Sequence, residues 1–182
     1  AYAINNNRLE TAQFLINNGA DVNAKTPKLK SSRLAQQAKV PNKSYGVQPL
    51  HFTCYKNNHE MVKYLIKNGA DIIGKDSDGT TPLYASIRLN GLAMSARIQI
   101  LKGEEDNIAR KYIANLREPR IVMLLVLAGA DVNNIYESKT NDNKIVNKTY
   151  LDIAKLSDLP LITNLLLKHG AKTYEKLKAE GK

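Results

Sequence analysis

Few residues of this chain have the type and spacing that chemistry would need. The 182 residues include three histidines, His51, His59 and His169, and a single cysteine, Cys54, with no metal-ligand spacing among them. The acidic run at 104–106 consists of consecutive residues at a predicted turn, so its carboxylates cannot converge on one point. No phosphate-binding glycine loop and no Ser–His–Asp arrangement is visible. These observations predict a protein without catalytic activity, metal or cofactor.

The charge balance instead favours binding. The chain has 27 Lys and Arg residues against 17 Asp and Glu residues, a net charge of +10 at pH 7. Such an excess suits nucleic acid, anionic lipid or an acidic protein surface. The chain is also rich in Asn, Lys and Ile, a bias that an AT-rich genome imposes on any protein. The overall charge therefore does not indicate which class of partner the chain binds.

Much of this charge lies in one stretch, 25–43, which has no acidic residue. Three interpretations stay open for this stretch: a solvated loop, a segment that binds an acidic protein partner, or a segment that binds nucleic acid or anionic lipid. Tyr45 is the one aromatic residue beside it, whereas single-strand binding usually needs several. The basic residues are Lys25, Lys28, Lys30, Arg33, Lys39 and Lys43.

The residues named above must be positioned by helical segments that recur along the chain. Four apolar segments with helical spacing each end at a glycine, which can adopt the left-handed conformation of a helix stop. Those glycines are Gly19, Gly69, Gly129 and Gly170. The second segment predicts a buried stripe of Met61, Val62, Leu65 and Ile66. The fourth predicts the corresponding stripe of Ile162, Leu165, Leu166 and Leu167.

Prolines mark a second landmark in each unit. Pro49 and Pro82 are 33 residues apart, and Pro49 precedes Gly69 by 20 residues. Proline suits the first turn of a helix, where its missing N–H has no partner to lose. Tyr150 precedes Gly170 by the same 20 residues. Each unit is therefore predicted to contain a short helix, a turn, a longer helix, a glycine stop and a hairpin.

The motifs "GADVN" at 19–23 and 129–133 and "DSDGTTPL" at 76–83 make this pattern similar to the ankyrin repeat. The resemblance covers about two thirds of the chain. It implies an all-α solenoid of stacked helix–turn–helix repeats with β-hairpin-like finger loops, and a structural hydrogen bond for His51. Departures are Gln48 in place of threonine, Tyr84 in place of histidine, and "TYLD" at 149–152, which lacks both proline and histidine.

Insertions between the landmarks define the predicted organisation of one domain, 1–182. Insertions in a repeat protein map to loops. The insertion near 92–118 is predicted to form a helical hairpin, and the excess after Gly129 to lengthen a finger. The predicted segments are a partial repeat 1–25, a basic insertion 26–42, a repeat 43–75, a repeat with the helical insertion 76–143, a terminal repeat 144–172 and a C-terminal tail 173–182.

The resemblance implies that a partner contacts the finger tips and the exposed ends of the first helices. Tyr45, Tyr55 and Arg88 are the expected anchors, because Tyr and Arg dominate interface hot spots. The full predicted set is Ser44, Tyr45, Val47, Tyr55, Lys56, Ser77, Asp78, Thr80, Arg88 and Leu89.

The leading hypothesis is a monomeric protein–protein interaction scaffold whose partner is another protein, with an acidic surface as one option. Similar ankyrin proteins of intracellular bacteria and large DNA viruses suggest a host-directed effector, in the cytoplasm or a host cell cytosol. The alternative is a binder of nucleic acid or acidic lipid through 25–43. The longest apolar run, 121–130, is too short for a transmembrane helix. The start without methionine suggests a piece of a longer protein, which could carry further repeats or a catalytic domain.

Overall fold

The computed structural model describes residues 8–27, 45–90, 119–139 and 144–181. These residues are mainly helical, and they include one two-stranded sheet. The chain divides into two compact units, residues 1–82 and residues 83–182. In the described parts, no helix is both long enough and apolar enough to cross a membrane.

The first unit contains three described helices: α1 (Leu9–Asn17), α2 (Pro49–Tyr55) and α3 (His59–Lys67). Helix α2 begins at Pro49, as predicted from the first-turn preference of proline. Helix α3 begins after Asn58, whose side chain accepts a hydrogen bond from the Met61 N–H at 3.0 Å. Helices α2 and α3 pack against each other as a helix–turn–helix pair.

The second unit begins with helical residues 82–90, called α4, of which Leu83 and the residues that follow belong to this unit. It continues with α5 (Arg120–Leu127), β1 (Ile135–Lys139), β2 (Ile145–Thr149), α6 (Tyr150–Leu156), α7 (Pro160–Lys168) and α8 (Tyr174–Ala179). Helix α7 contacts both α6 and α5. The helical hairpin predicted near 92–118 lies outside the described residues.

The recurring glycine stops are confirmed. The four glycines have φ angles between +80° and +98°, the left-handed region that a side chain disfavours. In every copy the residue after the glycine donates its N–H to the carbonyl five residues earlier, at 2.9 Å. This bond satisfies a carbonyl that the helix end would otherwise leave unpaired. The pairs are Ala20 with Leu15, Ala70 with Leu65, Ala130 with Leu125 and Ala171 with Leu166.

The predicted core stripes are largely present. Met61, Val62 and Leu65 of α3 are buried, as are Ile162 and Leu166 of α7. The stripe predicted for α7 is wrong at Leu167, which is 49% exposed. The corresponding residue of α5, Val126, is buried, so the exposure of Leu167 depends on what packs beside the helix and not on its place in the helical turn.

The lengthened finger predicted after Gly129 is an antiparallel hairpin of β1 and β2. Tyr136 lies opposite Lys148 in the register and stacks on Tyr84 of α4, with ring centroids 4.2 Å apart and planes at 21°. At the base of the hairpin the Thr149 N–H donates to a carboxylate oxygen of Asp152 at 2.9 Å, which closes a capping box at the start of α6. Two-stranded hairpins are marginal alone, so these base contacts stabilise this one.

The segment 173–182, predicted as a tail, contains helix α8. Leu177 of this helix is buried. Helix α8 contacts β2, and the Asn147 side-chain amide donates to the Tyr174 hydroxyl at 3.2 Å. Helix α8 is therefore packed on the second unit.

Candidate functional site

Three finger segments of the first unit are joined by backbone hydrogen bonds. Thr26 donates its N–H to the carbonyl of Val47 at 3.0 Å, and Gly46 donates to the carbonyl of Thr26 at 2.8 Å. Ser77 donates to the carbonyl of Tyr45 at 2.9 Å. We call residues 25–27, 45–47 and 76–80 the finger edge. These bonds hold three chain segments, distant in sequence, side by side.

Side-chain bonds shape the finger edge further. The Ser77 hydroxyl accepts from the Tyr45 N–H at 3.1 Å. One carboxylate oxygen of Asp76 accepts from the N–H groups of Asp78 and Thr80, both at 2.9 Å, which fixes the turn between them. Gly79 in that turn has a φ of +73°. The turn is thus held by bonds that leave the Asp78 side chain exposed.

His51 connects helix α2 to the finger edge. Its Nδ1 accepts from the N–H of Gln48 at 3.3 Å, and its Nε2 donates to the carbonyl of Thr80 at 2.9 Å. The ring is fully buried. Burial lowers the pKa of His51, and this effect exceeds the opposing influence of the Thr80 carbonyl and of the Asp76 carboxylate. The neutral ring therefore serves as both acceptor and donor, the structural hydrogen bonding that the resemblance implied.

Gln48 and Gly74 fit together beside this histidine. Gln48 is 2% exposed, and a Cβ built on Gly74 would lie 2.0 Å from the Gln48 Oε1 and 2.7 Å from a carboxylate oxygen of Asp71. The Gln48 side chain thus occupies the space that any larger residue at 74 would need. The glycine at 74 therefore accommodates the longer side chain that replaces threonine at 48.

The residues predicted for partner contact differ in how far their side chains are exposed to solvent. Tyr45 is 40% exposed, Ser77, Asp78 and Lys56 are exposed, and Tyr55 at the end of α2 is half-buried. Val47 and Thr80 have only 3% and 4% exposure, because both belong to the bonded backbone of the finger edge. In the second unit, Arg88 is exposed and Leu89 half-buried on α4. Ser44 lies outside the described residues.

Of the basic stretch 25–43, Lys25 is described, and its side chain is exposed at the finger edge. The other predicted basic residues lie outside the described part of the chain. They are Lys28, Lys30, Arg33, Lys39 and Lys43.

Reactive groups in the described residues are not assembled for chemistry. No group of three or more His, Cys, Asp or Glu side chains there could hold a metal ion. Burial raises the pKa of the Cys54 thiol, so the nucleophilic thiolate is disfavoured. His59 contacts Glu60 at 2.8 Å on the surface of α3.

Two asparagines with a structural role were not singled out from the sequence. The Asn23 amide donates to the carbonyl of Gly69 at 3.0 Å, and its oxygen accepts from the N–H of Asp71 at 2.7 Å. In the second unit, Asn133 donates to the carbonyl of Gly170 at 3.2 Å and accepts from the N–H of Lys172 at 2.8 Å. The sequence signal that could have identified them is the asparagine at the end of both "GADVN" motifs.

Comparison with known protein families agrees with this geometry. Residues 29–111 match the model of ankyrin repeats in three copies, and residues 1–27 match the single ankyrin repeat model. The chain belongs to the ankyrin repeat family. Ankyrin repeats are general protein–protein interaction modules with a non-enzymatic fold.

Relatives come from bacterial, viral and human sources. An ankyrin repeat protein of Rickettsia bellii is 27% identical over 177 residues, covering 86% of this chain and 73% of the relative. An ankyrin repeat protein of variola virus is 28% identical over 102 residues, 47% of this chain and 18% of the relative. Human Rabankyrin-5 is 32% identical over 85 residues, 47% of this chain and 7% of the relative. The chain thus spans only a small part of the viral and human proteins.

Proposed function

We propose that this chain is a non-enzymatic scaffold that binds a partner protein along the finger edge of the first unit and the adjoining end of helix α2. What supports the proposal most is the hydrogen bonding between Thr26, 45–47 and Ser77. A backbone ordered before binding loses little conformational entropy when a partner docks, and more of the contact energy becomes affinity.

The side chains on this surface suit recognition. Tyr45 and Tyr55 offer large contact area with a polar hydroxyl and only two side-chain torsions to fix. Ser77 and Asp78 add hydrogen-bonding groups at the exposed turn. We propose Tyr45 and Tyr55 as the anchors of this surface, and Arg88 as an anchor that belongs to the second unit. Val47 and Thr80 are left out of the proposed contact set because they are buried.

We also propose that the partner presents an acidic surface. Lys25 and Lys56 are exposed on this part of the first unit. In the sequence, Lys25 is followed by the other cations of the basic stretch 25–43. Complementary charge would steer the encounter and raise the association rate.

The organisms of the relatives support a proposal about where the chain acts. Because similar chains occur in a rickettsial and a poxviral ankyrin repeat protein, we propose that this chain acts as a monomer in the cytoplasm or in a host cell cytosol, as a host-directed effector. Affinity purification from host cytosol followed by mass spectrometry would supply the partner.

The dissociation constant of the identified partner then tests the site. Tyr45→Ala with Tyr55→Ala should weaken binding by roughly 30-fold or more for each side chain that is a hot spot, with unchanged circular dichroism. Arg88→Ala tests the anchor of the second unit in the same way. The matched control is Glu60→Ala with Lys63→Ala on helix α3, which should leave affinity unchanged.

Two results would speak against the proposal. Full affinity in the double tyrosine variant would place the contact elsewhere. A dissociation constant that rises steeply with salt, together with retention of nucleic acid or lipid, would favour the alternative function of the basic stretch 25–43.

A further inference from the structure

The segment 45–47 in the finger edge donates every one of its backbone N–H groups to a neighbouring finger segment. The N–H of Gly46 goes to a carbonyl, that of Thr26, at 2.8 Å. The other two go to side-chain hydroxyls. Tyr45 donates to the Ser77 Oγ at 3.1 Å, and Val47 donates to the Thr26 Oγ1 at 3.0 Å. Two hydroxyl groups therefore complete the hydrogen bonding that pairing between main chains leaves unfinished.

Gly46 explains why this segment bonds to two neighbours. In an extended strand the successive N–H groups point in alternating directions. Gly46 has a φ of +74°, a conformation that glycine adopts readily, and this breaks the alternation. As a result the N–H groups of Gly46 and Val47 both reach Thr26. The N–H of Tyr45 reaches Ser77 instead.

A second bond accompanies each hydroxyl bond. The Ser77 N–H donates to the carbonyl of Tyr45 at 2.9 Å, so Ser77 bonds both polar backbone groups of that tyrosine. The Thr26 N–H donates to the carbonyl of Val47 at 3.0 Å, so Thr26 does the same for the valine. The backbone on either side of Gly46 is thus fixed by one residue from each neighbouring finger segment.

We propose that Thr26 and Ser77 are positioning residues for partner binding, whose hydroxyls hold 45–47 in the conformation that presents Tyr45 to the partner. This inference rests on the proposed function, in which Tyr45 is an anchor. An anchor that is ordered before docking loses less conformational entropy, so loss of either hydroxyl should weaken binding although the tyrosine side chain remains. For Ser77 this role is additional to the contact proposed for its exposed side chain.

Amide hydrogen exchange, measured residue by residue by NMR on the whole chain, tests the role of each hydroxyl without a partner. Ser77→Ala should speed exchange at the Tyr45 amide roughly 2- to 12-fold, the factor that one hydrogen bond supplies, and leave Val47 unchanged. Thr26→Ala should speed exchange at Val47 by a similar factor and leave Tyr45 unchanged. Ser77→Thr and Thr26→Ser keep the hydroxyl, so each should restore the wild-type rate.

Ser86→Ala is the matched control for the loss of a hydroxyl. The Ser86 hydroxyl donates to the carbonyl of Leu83 at 2.8 Å, and both residues belong to the second unit. This substitution removes a hydrogen bond but no group of the finger edge, so exchange at Tyr45 and Val47 should stay as in the wild type. Circular dichroism verifies that each variant is folded.

The partner identified by affinity purification then tests the consequence for binding. Each of the two finger-edge alanine variants should raise its dissociation constant roughly 2- to 12-fold, and Ser77→Thr and Thr26→Ser should restore it. The inference is overturned if exchange at 45 and 47 does not respond to hydroxyl loss. It is also overturned if the alanine variants bind like the wild type while Tyr45→Ala binds more weakly. Full affinity in Tyr45→Ala, with the expected exchange pattern, would overturn the proposed contact and the positioning role with it, which separates the two failures.

Discussion

The bridging asparagines allow a quantitative test of how successive repeats are joined within each unit. Replacing Asn133 by alanine removes the hydrogen bond to the Gly170 carbonyl at 3.2 Å and the one from the Lys172 N–H at 2.8 Å. A hydrogen bond contributes a net 0.5–1.5 kcal/mol or so to stability. Two lost bonds therefore predict a decrease of about 1–3 kcal/mol in the free energy of unfolding, with the lower half favoured because Gly170 is exposed and water can replace the amide.

Asn23→Ala removes the corresponding bonds to Gly69 and Asp71 in the first unit, and should cost about the same. The two asparagines share no hydrogen-bond partner, so the double variant should lose about the sum of the two single effects. Urea denaturation followed by far-ultraviolet circular dichroism measures these differences.

Ile73 provides the matched control for this experiment. It occupies the same place, four residues after the helix-ending glycine, and it is 61% exposed. Ile73→Ala should change stability by less than about 0.5 kcal/mol. If Asn23→Ala and Asn133→Ala cost no more than this control, the amides do not tie neighbouring repeats together and the reasoning fails.

Three further predictions concern the core and its buried histidine. Because the pKa of His51 in the folded chain is below 6.5, the unfolded chain takes up the proton first. Stability should therefore fall as pH drops below 6.5, by up to about 1.4 kcal/mol per pH unit, and His51→Gln should flatten that dependence in urea denaturation. Gly74→Ala should cost about 1–3 kcal/mol through overpacking, and adding Gln48→Thr should recover most of it; equal melting of single and double variants would contradict the fit. Leu125→Ala should cost about 2–5 kcal/mol and Leu127→Ala far less, and equal losses would mean that α5 is packed differently.

Local features were predictable from the sequence because their causes are local. Pro49 restricts its own backbone angles and Gly69 permits a positive φ, whatever residues surround them. Helix α2 begins at Pro49, and helix α3 ends just before Gly69, as these residues indicate. The fixed spacing of such landmarks supported the resemblance to the ankyrin repeat, and that resemblance implied the fold.

Features that depend on contacts between distant segments were not predictable in the same way. Val47 and Thr80 were predicted to contact a partner, yet their burial depends on which finger segments bond to each other. Leu167 was predicted to be buried as part of a helical stripe, but its exposure depends on what packs beside α7. The role of Asn133 depends on a glycine 37 residues away.

Hydrogen–deuterium exchange of the chain with its identified partner is the measurement that addresses the central claim most directly. If the finger edge binds, peptides that contain 45–47 and 76–80 should exchange more slowly in the complex, while those of helix α3 should be unchanged. Protection confined to other segments, with exchange at the finger edge the same as in the isolated chain, would contradict the account.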